Sequence, residues 1–172
     1  AKKATHIVAP YTPGAINDVL ARRVGAKLSE ALKQPVIVEN RPGGGTAIGT
    51  EYVARAAPDG YTLLQIAASH SVNPSLVPDL PYDSIKDFSF ITLAATSPYV
   101  LIVAPALPVK TVADLVAQAK AKPGALSFSS TGNGGTAHMM GELLNSLGGV
   151  KTLHIPYKGG AQATTDLVSN QV

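Results

Sequence analysis

The chain reads as an α/β fold with largely parallel sheets. Three observations point there. Short apolar strands alternate with helix-period segments along almost all of its 172 residues. Two segments, HIVAP-YTPGAIN-DVLARRV and LSFSS-TGNGG-TAHMMGELL, share one design: a strand, a glycine-bearing turn and a helix start. Hydrophobic residues make up 45% and charged residues only 15%, a balance that favours a packed fold over disorder.

The elements follow in order. Residues 5–9 form a buried strand, and 18–33 a helix with Val19, Leu20, Val24, Leu28, Ala31 and Leu32 at near-helical spacing. Residues 35–39 (PVIVE) make a second strand, and NRPGGG at 40–45 a turn, given its proline and glycines. A short helix over 48–55 stops at Pro58-Asp59-Gly60, and 61–67 is a third strand. Residues 69–87 read as irregular, broken by Pro74, Pro78 and Pro81. Strands are expected at 90–95 and 99–104, around Ser97-Pro98. Residues 111–121 are a helix capped by Thr111, with Asp114 at the reciprocal position that Glu or Gln usually holds. Strand, helix, strand, helix follow at 127–130, 136–147, 152–155 and 160–169. The irregular middle and the two strands after it put a lobe crossing near 95–102. Residues 1–98 are then a first lobe and 99–172 a second.

Composition excludes several functions. No stretch approaches the roughly 20 apolar residues of a membrane span, so the chain is not expected to insert in a bilayer. The net charge of +3 is scattered and aromatics are only 5%, without the basic stripe and stacking rings that nucleic acid asks for. There is no cysteine, which removes disulfides and thiol chemistry. His6, His70 and His154 stand singly, without metal-ligand spacing, and no cofactor is expected.

The two turns carry the functional signal. A helix start offers unpaired N–H groups and a partial positive charge, which suits an anion. Neither loop contains Lys or Arg. Thr12 and Asn17 in the first, and Ser129, Ser130, Thr131, Asn133 and Thr136 in the second, supply neutral polar groups. Two such turns facing each other can hold a small carboxylate or phosphate. The plain alternative is that each glycine only lets a strand-to-helix connection reach positive φ. Asp18 either complements the helix dipole or meets the ligand's amino group, and His138 is either structural or a ligand contact. Gly132-Asn133-Gly134-Gly135-Thr136-Ala137 also satisfies G-x-G-x-x-A after a strand, the pattern of a dinucleotide-dependent oxidoreductase. The acid that pattern wants about 20 residues on is missing, because the next strand ends Pro156-Tyr157-Lys158. No Gly-Lys-Ser/Thr follows for a phosphate loop, and no G-x-S-x-G elbow is present. Ser69 and His70 are adjacent, which is not a triad arrangement, and Asp83 and Asp87 read as turn caps. Nothing supports catalysis.

A family resemblance joins these pieces. Pro10-Tyr11-Thr12-Pro13-Gly14-Ala15-Ile16-Asn17-Asp18, with Ala21-Arg22, resembles the P-x-x-P-G-G-x-x-D-x-x-A-R opening of the tripartite tricarboxylate transporter substrate-binding proteins, the TctC-like or Bug family. Val38-Glu39-Asn40-Arg41-Pro42-Gly43 is similar to its V-E-N-R-P-G segment, and residues 54–63 to its A-R-A-x-P-D-G-Y-T-L. Tyr82-Asp83, Lys86-Asp87-Phe88, then Ser130-Thr131-Gly132, Gly135, His138, Glu142-Leu143 and finally Pro156-Tyr157-Lys158-Gly159 complete the series in order.

The resemblance implies a periplasmic receptor of the two-lobed type II periplasmic-binding-protein-like fold, with a cleft between the lobes that closes by a hinge near 95–102. It implies capture of a small organic acid and delivery to the membrane permease of a tripartite transporter, or docking on a membrane sensor. Its ligand loops correspond to residues 11–18 and 130–138. Tyr11 walls the site, and the backbone of Gly14, Ala15, Ile16, Asn17 and Asp18 holds a carboxylate. Ser69 and His70, read as lying at a strand's carboxyl end, are secondary candidates. Thr131, Gly132, Asn133, Gly135, Thr136 and His138 complete the site, with Gly135 expected where the loop backbone approaches the ligand. Two departures stand out. Ala15 replaces the family's second glycine, which is expected to narrow the ligand's space. Family members run to about 300 residues, so the C-terminal part of the fold is expected to be missing here, leaving apolar faces uncovered.

Overall fold

The computed structural model describes residues 3–172. Two units emerge, Ala1–Phe90 and Ile91–Val172. The first is built on a three-stranded parallel sheet in the order β2-β1-β3. Its strands are β1 (Thr5–Ala9), β2 (Val36–Asn40) and β3 (Thr62–Leu64). β1 is central, and Ile7, Val8 and Ala9 are almost wholly buried, as an apolar strand with parallel neighbours on both sides must be. Helix α1 (Ile16–Leu32) lays Ala21, Val24 and Leu28 on this sheet against Val36, Val38 and Leu63. Val19 and Leu32, placed on the apolar face by spacing, are instead exposed; the buried stripe runs through Asp18, Ala21 and Gly25. A 3₁₀ turn at Gly44–Thr46 leads into α2 (Ala47–Ala54).

Two expectations for this unit change. The third strand stops at Leu64, not 67, because the chain turns off the sheet so that Ala67 N–H meets the Tyr11 hydroxyl, 3.0 Å away. The stretch after it is not irregular throughout: α3 (Ser69–Leu76) forms despite Pro74, burying Ser69, His70 and Asn73 along one side. Ser69 and His70 therefore open a helix rather than end a strand. Asp83 does cap a turn, accepting from Ile85 and Lys86 N–H, while Asp87 accepts from Asp83 N–H.

The second unit has a two-stranded parallel sheet, β4 (Ser127–Ser130) with β5 (Leu153–Pro156), and helices α4 (Val112–Ala121), α5 (Thr136–Gly148) and α6 (Gly160–Val168). The capping box of α4 is formed as read: Asp114 N–H donates to Thr111 Oγ1, and Thr111 N–H to the Asp114 carboxylate. Gly141 lets α5 approach β4 closely, since a Cβ there would overlap the Phe128 ring. The strands expected at 90–95 and 99–104 are absent: those residues are irregular, and Ile91, Leu93, Tyr99, Val100, Leu101 and Ile102 are exposed. They find no ladder partner among the described residues, and a lone strand gains neither cross-strand bonds nor burial. Beside them lies an apolar hollow of about 870 Å³, lined by Leu115, Val116, Phe128, Met140, Leu144 and Leu167 among others.

Candidate functional site

Both glycine turns sit where a strand of a parallel sheet, β1 in one and β4 in the other, hands over to a helix, and they are built alike. In the first, Ala15 N–H donates to Thr12 O at 3.2 Å, Gly14 N–H to Asp18 Oδ2 at 2.8 Å, and Val19 N–H to Ala15 O at 3.0 Å. In the second, Gly135 N–H donates to Gly132 O at 3.4 Å, Gly134 N–H to His138 Nδ1 at 3.1 Å, and Met139 N–H to Gly135 O at 3.1 Å. Position by position, Gly14 corresponds to Gly134, with φ of 81° and 72°. Ala15 corresponds to Gly135, both extended at φ −64° and −70°. The positive-φ glycines of the second turn are thus Gly132 and Gly134, while Gly135 is extended. The same geometry explains how alanine stands at position 15 without strain.

No side chain caps either helix. The N–H groups of Ile16, Asn17 and Asp18, and of Thr136, Ala137 and His138, precede the first intrahelical bond. Each turn therefore presents a small cluster of donors at the positive end of a helix dipole, a setting for an anionic oxygen. No metal-binding cluster exists among the described residues.

The supports of the two turns differ in chemistry. Asp18 is almost fully buried, and its carboxylate takes Gly14 N–H, Arg22 and Asn40 Nδ2. The Arg22 hydrogen bond, then Gly14 N–H and Asn40, hold Asp18 down to about 2. Its oxygens hold the loop in shape, and Arg22, the nearest cation, is spent on them. Asn40 also donates to Tyr11 O at 3.1 Å, and the Tyr11 hydroxyl lies 3.3 Å from Ser69 Oγ. Tyr11 is so tethered at both ends. Ser69 Oγ in turn accepts from Thr46 Oγ1, which accepts from Asn73. His70 packs among Tyr82, Phe88 and Phe90, with Nε2 2.8 Å from Ser84 O, away from Tyr11's chain of bonds.

Among the described residues the second turn has no Arg or Lys at its base; its one charged neighbour is Glu142, whose Oε1 lies 3.9 Å from His138 Nε2. Ser130 Oγ accepts from Gly132 N–H, donates to Gly132 O, and lies 2.6 Å from His154 Nε2. His154 stacks on His138 at 3.9 Å and on Phe128 at 4.9 Å. Burial first, then the neighbouring His138, pushes the His154 imidazole below its ordinary value. Thr131 and Asn133 are exposed, and Thr136 is half-buried. The turn's bonds are all to this local frame, and β5 ends without the acid that would receive a ribose.

Sequence reasoning missed Asn40, Thr46, Asn73 and His154. For Asn40 a signal existed: parallel pairing sets Ala9 beside Asn40, so the last residue of β2 lies at the foot of the first turn. For His154 the signal is the pairing Phe128↔His154, which requires the β4–β5 register to be known first.

Comparison with known proteins agrees with this architecture. Residues 20–172 match the model of the tripartite tricarboxylate transporter family receptor. BugT of Bordetella pertussis is 38% identical over 168 residues, covering 96% of this chain and 52% of that protein. MatC from Rhodopseudomonas palustris, solved with bound malate, matches with a TM-score of 0.83 at 30% identity, over 98% of this chain and 58% of that one. An R. palustris protein solved with adipate matches with a TM-score of 0.78 at 33% identity, over 98% of this chain and 57% of its own. The chain spans about half the length of the curated relatives it matches.

Proposed function

The chain belongs to the tripartite tricarboxylate transporter family of receptors, and we propose that it is the ligand-capturing part of a periplasmic solute receptor. The ligand is a small organic acid with one to three carboxylates, passed on to the membrane permease of a tripartite transporter. The reading is of a binder and not a catalyst. One observation carries it: the same turn occurs twice, each time with three uncapped N–H groups and no Lys or Arg in the loop. In this reading Gly14, Ala15, Ile16, Asn17 and Asp18 offer backbone donors to one carboxylate, and Tyr11 fixes the wall beside them. Thr131, Gly132, Asn133, Gly135, Thr136 and His138 line the second turn. Ser69 acts by tethering Tyr11, with His70 behind it.

Two structural neighbours hold dicarboxylates, malate in one and adipate in the other, which supports the ligand class. Backbone donors attract a carboxylate with less screening by salt than an exposed cation would suffer. Calorimetry over a panel of mono-, di- and tricarboxylates, neutral sugars and NAD(P) tests the reading. It expects heat from an organic acid with weak dependence on ionic strength. Heat from sugars or NAD(P) and none from any organic acid would overturn it.

A further inference from the structure

The geometry points to His138 Nδ1 as a proton-sensitive latch of the second turn, with His154 as the positioning residue that keeps the latch in place. Gly134 N–H donates to His138 Nδ1, so that nitrogen carries no proton while the bond exists. Gly134 is buried and sits at positive φ, so the bond fixes a residue the turn bends on. A proton on Nδ1 turns the acceptor into a donor facing a donor, and the latch opens.

His154 braces the arrangement from the next strand. Its ring lies face to face with His138 at 3.9 Å and 16°, backed by Phe128, and its Nε2 reaches Ser130 Oγ, which closes Gly132 N–H. The two rings so hold Gly132 and Gly134, the two positive-φ residues of the turn. Two imidazolium rings at this separation repel, so a first proton on either ring opposes a second. Burial already favours the neutral form of His154. The folded state prefers that neutral ring, so stability falls as pH drops below the ordinary 6.5.

The charged surroundings are sparse. On α5 the titratable side chains are His138 and Glu142; Glu142 Oε1 lies 3.9 Å from His138 Nε2, and its charge partly offsets the downward push on His154. β4 carries none, and Asp166 on α6 is held by the Tyr157 hydroxyl at 2.8 Å. The first turn uses Asp18 at the same position and has no such switch between pH 5 and 8. If the carboxylate reading is right, on which the consequence for binding rests, affinity falls with acid through the second turn alone.

The test has two arms on the full chain. Titration by ¹H–¹⁵N NMR without ligand, over roughly pH 8 to 5, follows both imidazoles and the amides of Gly14, Gly132 and Gly134. The Gly132 and Gly134 amides are expected to move with the imidazole titration while Gly14 stays still. Calorimetry with malate and adipate then compares pH 7.5 with pH 5.0 in the parent chain, His138→Asn, His154→Gln and His154→Phe. The parent is expected to lose at least about tenfold in affinity over that range. His138→Asn, whose amide oxygen accepts without titrating, is expected to lose less than about twofold. His154→Phe keeps the stack without the Ser130 contact and is expected to bind more weakly than His154→Gln at both pH values. A Gly134 amide indifferent to His138 titration, or a His138→Asn variant with the parent's pH ratio, overturns the latch. Absence of acid binding at every pH overturns the functional reading instead, and the NMR arm still decides the latch.

Discussion

The two glycine turns share a backbone and differ in what closes it. Thr12–Asp18 ends on a buried carboxylate bonded to Gly14 N–H, Arg22 and Asn40, while Gly132–His138 ends on an imidazole that takes one N–H and leans on a second imidazole. The same three backbone contacts can therefore be held by charge or by a neutral ring. In each case the brace comes from the next parallel strand, Asn40 from β2 and His154 from β5. The difference teaches where each turn is vulnerable: the first to loss of its ion pair, the second to protons and to the packing of its ring stack.

The largest effect is expected from breaking the first closure. Asp18→Ala removes the acceptor of Gly14 N–H and the carboxylate bonds of Arg22 and Asn40, and malate affinity near neutral pH is expected to fall by roughly a hundredfold. His138→Ala orphans a single N–H and is expected to cost roughly tenfold. Calorimetry on both variants checks the order, and a larger loss in His138→Ala would reverse the comparison.

Packing comes next. Gly141→Ala drives a methyl into the Phe128 ring, on which His154 stacks. A loss of ~1–3 kcal/mol is expected in the second unit, read by urea denaturation, with hydrogen exchange of the β1 amides unchanged. Protection lost equally in both units would show that the ring stack is not a local support.

The capping box of α4 was legible because its partners, Thr111 and Asp114, lie three residues apart. The two turns were legible for the same reason, as local chains of Pro13-Gly14 and Gly132-Asn133-Gly134. What stayed hidden is non-local. α3 forms because Ser69, His70 and Asn73 find buried partners in Tyr11, Ser84, Gly45 and Thr46, which overrides Pro74. The apolar runs at 90–95 and 99–104 have strand composition but no pairing partner among the described residues, so pattern alone misassigned them. His154 needed the β4–β5 register, and which glycines of the second turn bend the chain stayed open because a sequence shows glycines and not their φ.

That last point yields a finer test. Gly14→Ala and Gly134→Ala place a side chain at φ of 81° and 72°, each expected to cost ~1–2 kcal/mol. Ala15→Gly and Gly135→Ala sit on extended backbone, where a Cβ at 135 meets Gly132 O at 3.4 Å, and are expected to change stability by about a few tenths of a kcal/mol. Thermal melts of the four variants should fall into two pairs. A Gly135→Ala variant as damaged as Gly134→Ala would contradict the equivalence of the turns.

The smallest effect at working pH is the acid response of the first turn, which is nil until strongly acidic conditions. The folded state favours ionised Asp18, so the stability it brings is complete above the ordinary 3.8 and is lost as pH falls from there through about 2. The Gly14 amide should shift only in that window, well below the range in which Gly134 responds.

The most direct measurement is a malate or adipate titration of the full chain followed by ¹H–¹⁵N NMR at pH 7.5. The amides of residues 14–18 and those of residues 134–138 are each expected to shift and to saturate, with Tyr11 and Ser130 following. A binding isotherm carried by other residues while both turns stay still would contradict the reading of these turns as carboxylate-binding.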